Sequence, residues 1–486
     1  MTDAARILAQ AAARSDFAGA PEAVRAVYRD FILDTLAVMA AGAAHGSVAP
    51  ARAALRAVGG SGPASVAGFA KGAPAGMAGL VNGMAMTVLQ LQDGHRRARG
   101  HPMSHALPAA LALAEETGAG AADFLDAVMA GYEVSARIGA ALGGMQALLH
   151  DTGTFGCIGA AVSAAWLLGR GLAPEARAAL IEAAIGNAAA VALFPFRDTC
   201  MEGAGAHHLF VGLGVQNGIT AARAAQAGLT PAPATLERFF GPRAGAAFDP
   251  ALLVDGVDGT WSRHEILSAY LKWHPVCAHL GPMLDCIEAL RARPEGIDPA
   301  RIAQVRVQVY ATALEYDSPA PQTDLAARFG FRHAAALALC FGPLAHDGFT
   351  RLRDPEVQAM AARVRLVADA GLDALYPARR PARVTLILHD GSEASAEVLV
   401  PKGDGARALT RADVEAKAAR LMGAAWGHEA PFAQARQLLD DLPPDLPQRL
   451  GRLLRAAFMP AQDPGRIPSA RADAPPASGD RPVARL

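Results

Sequence analysis

The chain predicts a mainly α protein, a large all-α helical domain with a smaller α+β unit inserted in it, and three observations carry that expectation. Hydrophobic residues make up 52% of the 486 residues and aromatic residues only 6%, with alanine and glycine very frequent. Small contact residues let helices approach closely, because the side chains at the contact set the distance between packed helices. Through the first half of the chain, apolar positions recur at spacings of three and four, the period of a helix buried on one face. From Ile302 the period drops to two, with Val305, Val307 and Val309 alternating with polar residues as in a half-buried strand. A chain of this length exceeds one hydrophobic core. Residues 1–264 and 405–460 are expected to form the helical domain, residues 265–404 the inserted unit, and residues 461–486, rich in Pro, Ala, Arg and Asp, a disordered tail.

After a short first helix, Pro21 stands at a helix N1 position, and Val24, Val27, Tyr28, Phe31 and Ile32 mark an amphipathic helix running to about Gly42. Further helices are expected over Pro50 to Val58, Met77 to Leu91, Pro108 to Glu116 and Ala121 to Leu142. In the last of these Glu133 and Arg137 make an i,i+4 pair, read as a solvated surface pair. Gly153, Gly156 and Gly159 strip one face of the helix after His150, with Thr152 and Thr154 as candidate caps. Another helix runs through Gly212, Gly214 and Gly218 to Gly228. Adjacent side chains cannot share one helix face, so at most one of His207 and His208 is expected to point inward. In the inserted unit, strands are expected at Ile302 to Val309 and Val364 to Val367, with a hairpin over Ala382 to Val400 turning at Asp390-Gly391. Helices are expected there over Phe329 to Leu344 and Pro355 to Ala362, the latter capped by Asp354. Thr410 and Asp413 resemble a capping box that reopens the helical pattern.

Lys plus Arg (45) nearly balances Asp plus Glu (46) for a net charge of −1, which speaks against nucleic acid or an acidic membrane surface as a partner. The five cysteines show no CxxC and no metal spacing, and an odd count argues against a disulfide framework, so a reducing cytoplasm is expected. The N-terminus has no signal-peptide pattern. The uncharged runs from Gly72 to Gln92 and from Thr152 to Gly169 read as buried core helices rather than membrane spans.

Groups of catalytic type gather in four stretches. From Asp93 to His105, thirteen residues hold Asp93, His95, His101, His105, Arg96, Arg97 and Arg99, where Gly94, Gly100 and Pro102 break the helical pattern into a loop. His150 and Thr152 stand at a helix start, whose free N–H groups suit an anion. His207 precedes the glycine-punctuated helix. Lys272 and His274 lie on an irregular segment with Trp273, Pro275 and Cys277. Each has a plain alternative reading: a solvated basic turn, a satisfied core histidine, a loop lysine. The only HxxxH spacing, His101 to His105, has Pro102 inside it, and HExxH is absent, so no metal site is expected.

In order and spacing, several segments resemble the MmgE/PrpD family, which includes 2-methylcitrate dehydratase, cis-aconitate decarboxylase and an iminodisuccinate epimerase. They are LDTLAVMAAG at Leu33, NG at Asn82, GHP at Gly100, GYEVSARIG at Gly131, HDTGTFGCIGAA at His150, GVQNGITAARAAQAG at Gly214, and the Lys272, Pro275, Cys277, Pro282 framework. The resemblance covers roughly Pro21 to Leu453. It implies an all-α main domain with a smaller α+β lid domain, a homodimer, no metal or organic cofactor, and an active site between the domains for small di- or tricarboxylates. Asp93, His101, His150 and Lys272 match family positions, while His207 stands at a lysine position and His333 at a tyrosine position. Joined to the residue reading, this implies a lyase of dehydratase or decarboxylase type that removes a proton α to a carboxylate. Its candidate catalytic residues are Asp93, His101, His150, His207 and Lys272, and its candidate substrate-binding residues are His95, Arg96, Arg97, Thr152, His274 and His333. Two alternatives stay open: an epimerase or isomerase of a substituted dicarboxylate, and a catalytically silent binding protein. The expected partners are a small carboxylate and a second copy of the chain, with neither nucleic acid nor membrane.

Overall fold

Glycine and alanine decide how closely the helices of the N-terminal half meet. In the computed structural model, which describes residues 4–294, 296–342, 349, 351–456 and 458, helix Ala75–Gly83 crosses helix Leu209–Gln226 where Gly83 faces Gly212. A Cβ at Gly83 would lie 2.7 Å from the Gly212 Cα, and one at Gly212 would fall on the Leu80 carbonyl oxygen. Gly212→Val is expected to lower stability by about 1–3 kcal/mol or more, the usual size of overpacking, read as a lower urea midpoint with an unchanged slope.

Helix Phe155–Leu168 sits at the centre, with every residue but Leu168 buried. It packs against helices Met103–Thr117, Ala121–Ala141, Pro174–Ala190 and Leu209–Gln226, and a helix apolar on all sides belongs in such a position. Among the described residues no single helix is long and apolar enough to cross a membrane.

Three expectations for this region are corrected. The helix expected over Met77 to Leu91 ends at Gly83, and the chain goes on in turns past Gln90, whose φ is 51°. The helix expected from Pro108 begins at Met103 and carries Pro108 inside it, because the Asp93 carboxylate accepts from the Met103 and Ser104 N–H groups at its start. Glu133 and Arg137 are fully buried rather than solvated. Arg137 donates to the Glu133 carboxylate at 2.6 Å, and that carboxylate also accepts from the Tyr28 hydroxyl and the Glu265 and Ile266 N–H groups. A buried charge needs this degree of satisfaction.

The described residues form two hydrophobic cores. The first takes its buried residues from Ala4 to Leu271 and from Val414 to Leu454. The second takes Cys200 and residues from Val276 to Leu386. The latter is built on a four-stranded sheet in the order Val364–Ala368, Ile302–Val309, Ala382–Leu388, Glu393–Val398. The first pair is parallel and the others antiparallel. Val305, Val307 and Val309 are buried as their alternation requires. The hairpin turns with Gly391 at φ 82°, and the Asp390 carboxylate accepts from the Ser392 N–H. Helices Gly281–Arg291 and Phe331–Phe341 pack against the sheet. The expected end of the second, Leu344, lies outside the described residues, as does the expected tail at 461–486.

Helix Arg411–Trp426, opened by the Thr410–Asp413 capping box, brings the chain back to the first core. Its Lys417 is buried, and Nζ donates to the carbonyls of Leu91 at 3.2 Å and Lys272 at 2.7 Å. The same ammonium stands 2.8 Å from Oδ1 of Asp34 on helix Glu22–Ala44, close enough for an ion pair, although among the described residues neither Asp34 oxygen accepts a well-directed hydrogen bond. One side chain thus ties the helical core to the segments that carry Asp93 and Lys272.

Candidate active site

The first and fourth polar stretches meet through a short antiparallel pairing of Gly94–His95 with Ala269–Tyr270. Gly94 is required there, since a Cβ would run into the Tyr270 ring. The pairing sets Asp93 and Lys272 on neighbouring strand ends. Asp93 is fully buried and accepts from Met103 N (3.0 Å), Ser104 N (3.1 Å) and Ser104 Oγ (2.9 Å). Burial pushes its carboxyl up to about 6 against the pull of those three hydrogen bonds. Its part is to cap a helix and to aim a histidine, because its backbone carbonyl accepts from His101 Nδ1. A carbonyl only accepts, so His101 carries its proton on Nδ1 and leaves the Nε2 lone pair free. That Nε2 lies 3.8 Å from Asp151 Oδ2. His105 holds this turn in place by donating from Nδ1 to the His101 carbonyl and accepting at Nε2 from Gly153 N.

His150 has the opposite polarity. Its Nδ1 accepts from Thr152 N at 3.1 Å and pairs with the Thr152 hydroxyl at 2.8 Å. A backbone N–H only donates, so the neutral ring carries its proton on Nε2. The Thr154 hydroxyl donates to the His150 carbonyl at 2.7 Å. Both threonines therefore serve His150 and neither caps the helix, which corrects the expectation for them. Burial and the nearby Lys272 charge hold His101 well below the usual histidine range and His150 at about 3, so both rings are neutral. Between them stands Asp151, pushed up to about 7 by burial, with an Oδ2 that accepts no hydrogen bond among the described residues. Lys272, nearly buried, is lowered to about 8 by burial, with Cys277, Asp151 and Asp93 pulling the other way.

His207 joins this group through His150, their ring centroids 5.1 Å apart. Gln90 Nε2 is fixed as a donor by the Thr87 carbonyl and faces His207 Nε2 at 3.2 Å, so the His207 proton sits on Nδ1, which is buried without a partner among the described residues. His208 is buried as well, correcting the expectation that one histidine at most would face inward. The pair lies in a 3-10 turn, Gly205–His208, covered on more than one side. His150, His207 and Cys200 bring ligand atoms within 4.8 Å of one another, yet hydrogen bonds from Thr152 and Gln90 occupy one lone pair on each imidazole. A second such group, His274, Asp285 and Glu288, is tied up by the Lys402 N–H and Arg407, both donating to Asp285.

The other candidates lie elsewhere. His95 donates to the Glu265 carbonyl and accepts from Ala98 N. Arg97 pairs with Glu265 at 2.7 Å and Asp255 at 3.2 Å, and Arg96 with Asp404 at 3.1 Å. His274 bonds Asp285 at 2.9 Å. His333 lies in the second core near Phe349, with burial lowering it to about 4.

Three groups not singled out from sequence stand beside the cluster. Asp151 is next to His150 and was legible by adjacency alone. Tyr316 feels the charges of Cys277, Asp151 and Arg197 and stacks on His279 at 4.5 Å. Arg380 shares with Lys272, Cys277 and Tyr270 the lining of a small pocket of about 20 Å³. No motif marks Arg380, which stands between Arg379 and Pro381. The histidine cluster does not line that cavity, and Lys272 is the group common to both.

Comparison with family models finds two matches along the chain. The MmgE/PrpD N-terminal domain matches residues 6–247 and the MmgE/PrpD C-terminal domain residues 274–441. Among curated proteins no match is found. With both domains of the family matched over most of its length, the chain belongs to the MmgE/PrpD family.

Proposed function

We propose that the protein is a cofactor-independent lyase of dehydratase type, acting on a small di- or tricarboxylate by removing a proton α to a carboxylate. Membership of a family of generally lyase-type enzymes supports the reaction class. The observation that carries the reading is a nearly buried lysine beside two neutral imidazoles of opposite proton polarity. The Lys272 ammonium holds the carboxylate next to the reacting carbon. His101 Nε2, with its free lone pair, takes the α-proton, and the negative charge that spreads onto the carboxylate is met by Lys272, a donor placed where charge develops. Asp151, whose carboxyl burial raises to about 7, gives its proton to the departing β-hydroxyl, and the neutral His150 Nε2–H holds that oxygen by a hydrogen bond. The C–H and C–O bonds break, a C=C bond forms, and water leaves.

Proton NMR in D2O over a panel of hydroxy- and amino-dicarboxylates tests this. One member is expected to lose its α-proton signal and gain a vinyl signal. His101→Asn should slow that reaction by about a hundredfold to ten-thousandfold, the range for a lost general base. Exchange of the α-proton with no vinyl product would replace the lyase with an epimerase. No exchange with any member would overturn proton abstraction altogether.

A further inference from the structure

We infer that Arg380 is the specificity-determining residue of the cleft, the clamp for a substrate carboxylate remote from the reacting carbon. The inference rests on the proposed reading for its substrate class, and on the wall contributed by the second core for its geometry.

Arg380 is only 11% exposed, and its Nη1 is buried with no hydrogen-bond partner among the described residues. Its nearest carboxylate, Asp404 Oδ2, lies 3.8 Å from that nitrogen, beyond hydrogen-bond reach. Asp404 is moreover shared, since Arg96 Nε stands 3.1 Å from its other oxygen. A planar guanidinium presents five donors suited to bidentate carboxylate recognition, and leaving one buried and unpaired is unfavourable. The structure thus holds a buried cation that its own acidic partner under-neutralises.

The Tyr270 ring covers one face of this cation. The guanidinium lies over the Tyr270 ring at 4.9 Å, and Tyr270 is two residues from Lys272. The charge of Arg380 is felt by Tyr310, Tyr376 and His279, of which Tyr310 and Tyr376 stack at 4.4 Å. With one face on the Tyr270 ring and 11% of its surface exposed, the guanidinium is held within the protein. Lys272 and Arg380 line the same cavity. Two cations lining one pocket suit a ligand with two anionic ends, one at Lys272 and one at Arg380.

The test uses the full chain and two unreactive probes, succinate and its monoamide succinamate, with affinities measured by calorimetry. Wild-type protein is expected to prefer succinate, and Arg380→Met is expected to weaken succinate by about tenfold to a hundredfold, as befits a charge-assisted bidentate pair. Succinamate should bind wild type and Arg380→Met alike. Arg380→Lys, which keeps charge but loses the fork, should fall between them and covers the case in which the methionine variant does not fold. Arg380→Met or Arg380→Lys binding succinate as tightly as wild type would overturn the clamp, as would equal losses for both probes. These readouts need no turnover. A failed search for α-proton exchange with an intact Arg380 effect would sink the proposed reaction and leave the clamp standing. Exchange in wild type with no Arg380 effect would do the reverse.

Discussion

Lys272→Met should lower kcat/KM by about a hundredfold to a thousandfold, the size of a lost donor to developing charge, on whichever substrate the NMR panel reveals. The same change should make the free protein more stable at neutral pH. Burial depresses the Lys272 ammonium to about 8 from the ordinary 10.5, with Lys417 adding to the depression and Cys277, Asp151 and Asp93 opposing it. Holding it charged at pH 7 therefore works against folding by roughly 3 kcal/mol at about 1.36 kcal/mol per unit. Between pH 8 and 10.5 the unfolded chain binds more protons at this lysine than the folded one, so its contribution makes stability rise with pH across that window. The variant should lack this rise in urea titrations at successive pH values. In kinetics the sign is opposite. Only the protonated lysine holds the carboxylate, so kcat/KM should fall as pH rises through about 8, and Lys272→Met should lose that limb. Unchanged activity with an unchanged limb would remove Lys272 from the mechanism.

The second large effect belongs to Lys417. Lys417→Met should destabilise the protein by about 3–5 kcal/mol, because it strands a buried Asp34 carboxylate without its counter-charge. Burial already raises the Asp34 carboxyl and lowers the Lys417 ammonium, each opposed by the other's charge. Removing both, in Asp34→Leu with Lys417→Met, should recover most of the stability in urea unfolding, since a buried pair replaced by apolar groups is often neutral. Activity should not recover with it. The carbonyls of Leu91 and Lys272 would still lack their shared donor, and the segments aiming Asp93 and Lys272 would lose their tie. A double variant with wild-type activity would show that Lys417 serves stability alone.

How much of this was legible in the sequence depends on the kind of evidence each element left. The strands announced themselves because Val305, Val307 and Val309 alternate, and the hairpin because Asp390-Gly391 is a turn pair. The capping box at Thr410 was readable for the same local reason. Helix limits around residues 84–108 were not, since they are set by a carboxylate ten residues away and by the Gly83–Gly212 crossing. Burial of the Glu133–Arg137 pair was hidden as well, because its other partners, Tyr28 and Glu265, lie more than a hundred residues off. Within the site, the four polar stretches were visible as concentrations of histidine and lysine. The proton positions on His101 and His150 were not, because they follow from which backbone group each ring meets. Arg380 was silent for the opposite reason, being one arginine among many until its loose partner and aromatic neighbours are seen.

The tie at Lys417 also says something about the order in which a ribosome delivers this chain. Asp34, Leu91, Asp93 and Lys272 all emerge before residue 417, and until that helix follows them an acidic group waits in a nascent core with no cation and two carbonyls wait with no donor. The cleft is therefore completed late in synthesis, by a residue that itself touches none of the reacting groups. A chain cut short within the second core would carry His101, His150 and Lys272 in full and still lack the fastening that brings their segments into register.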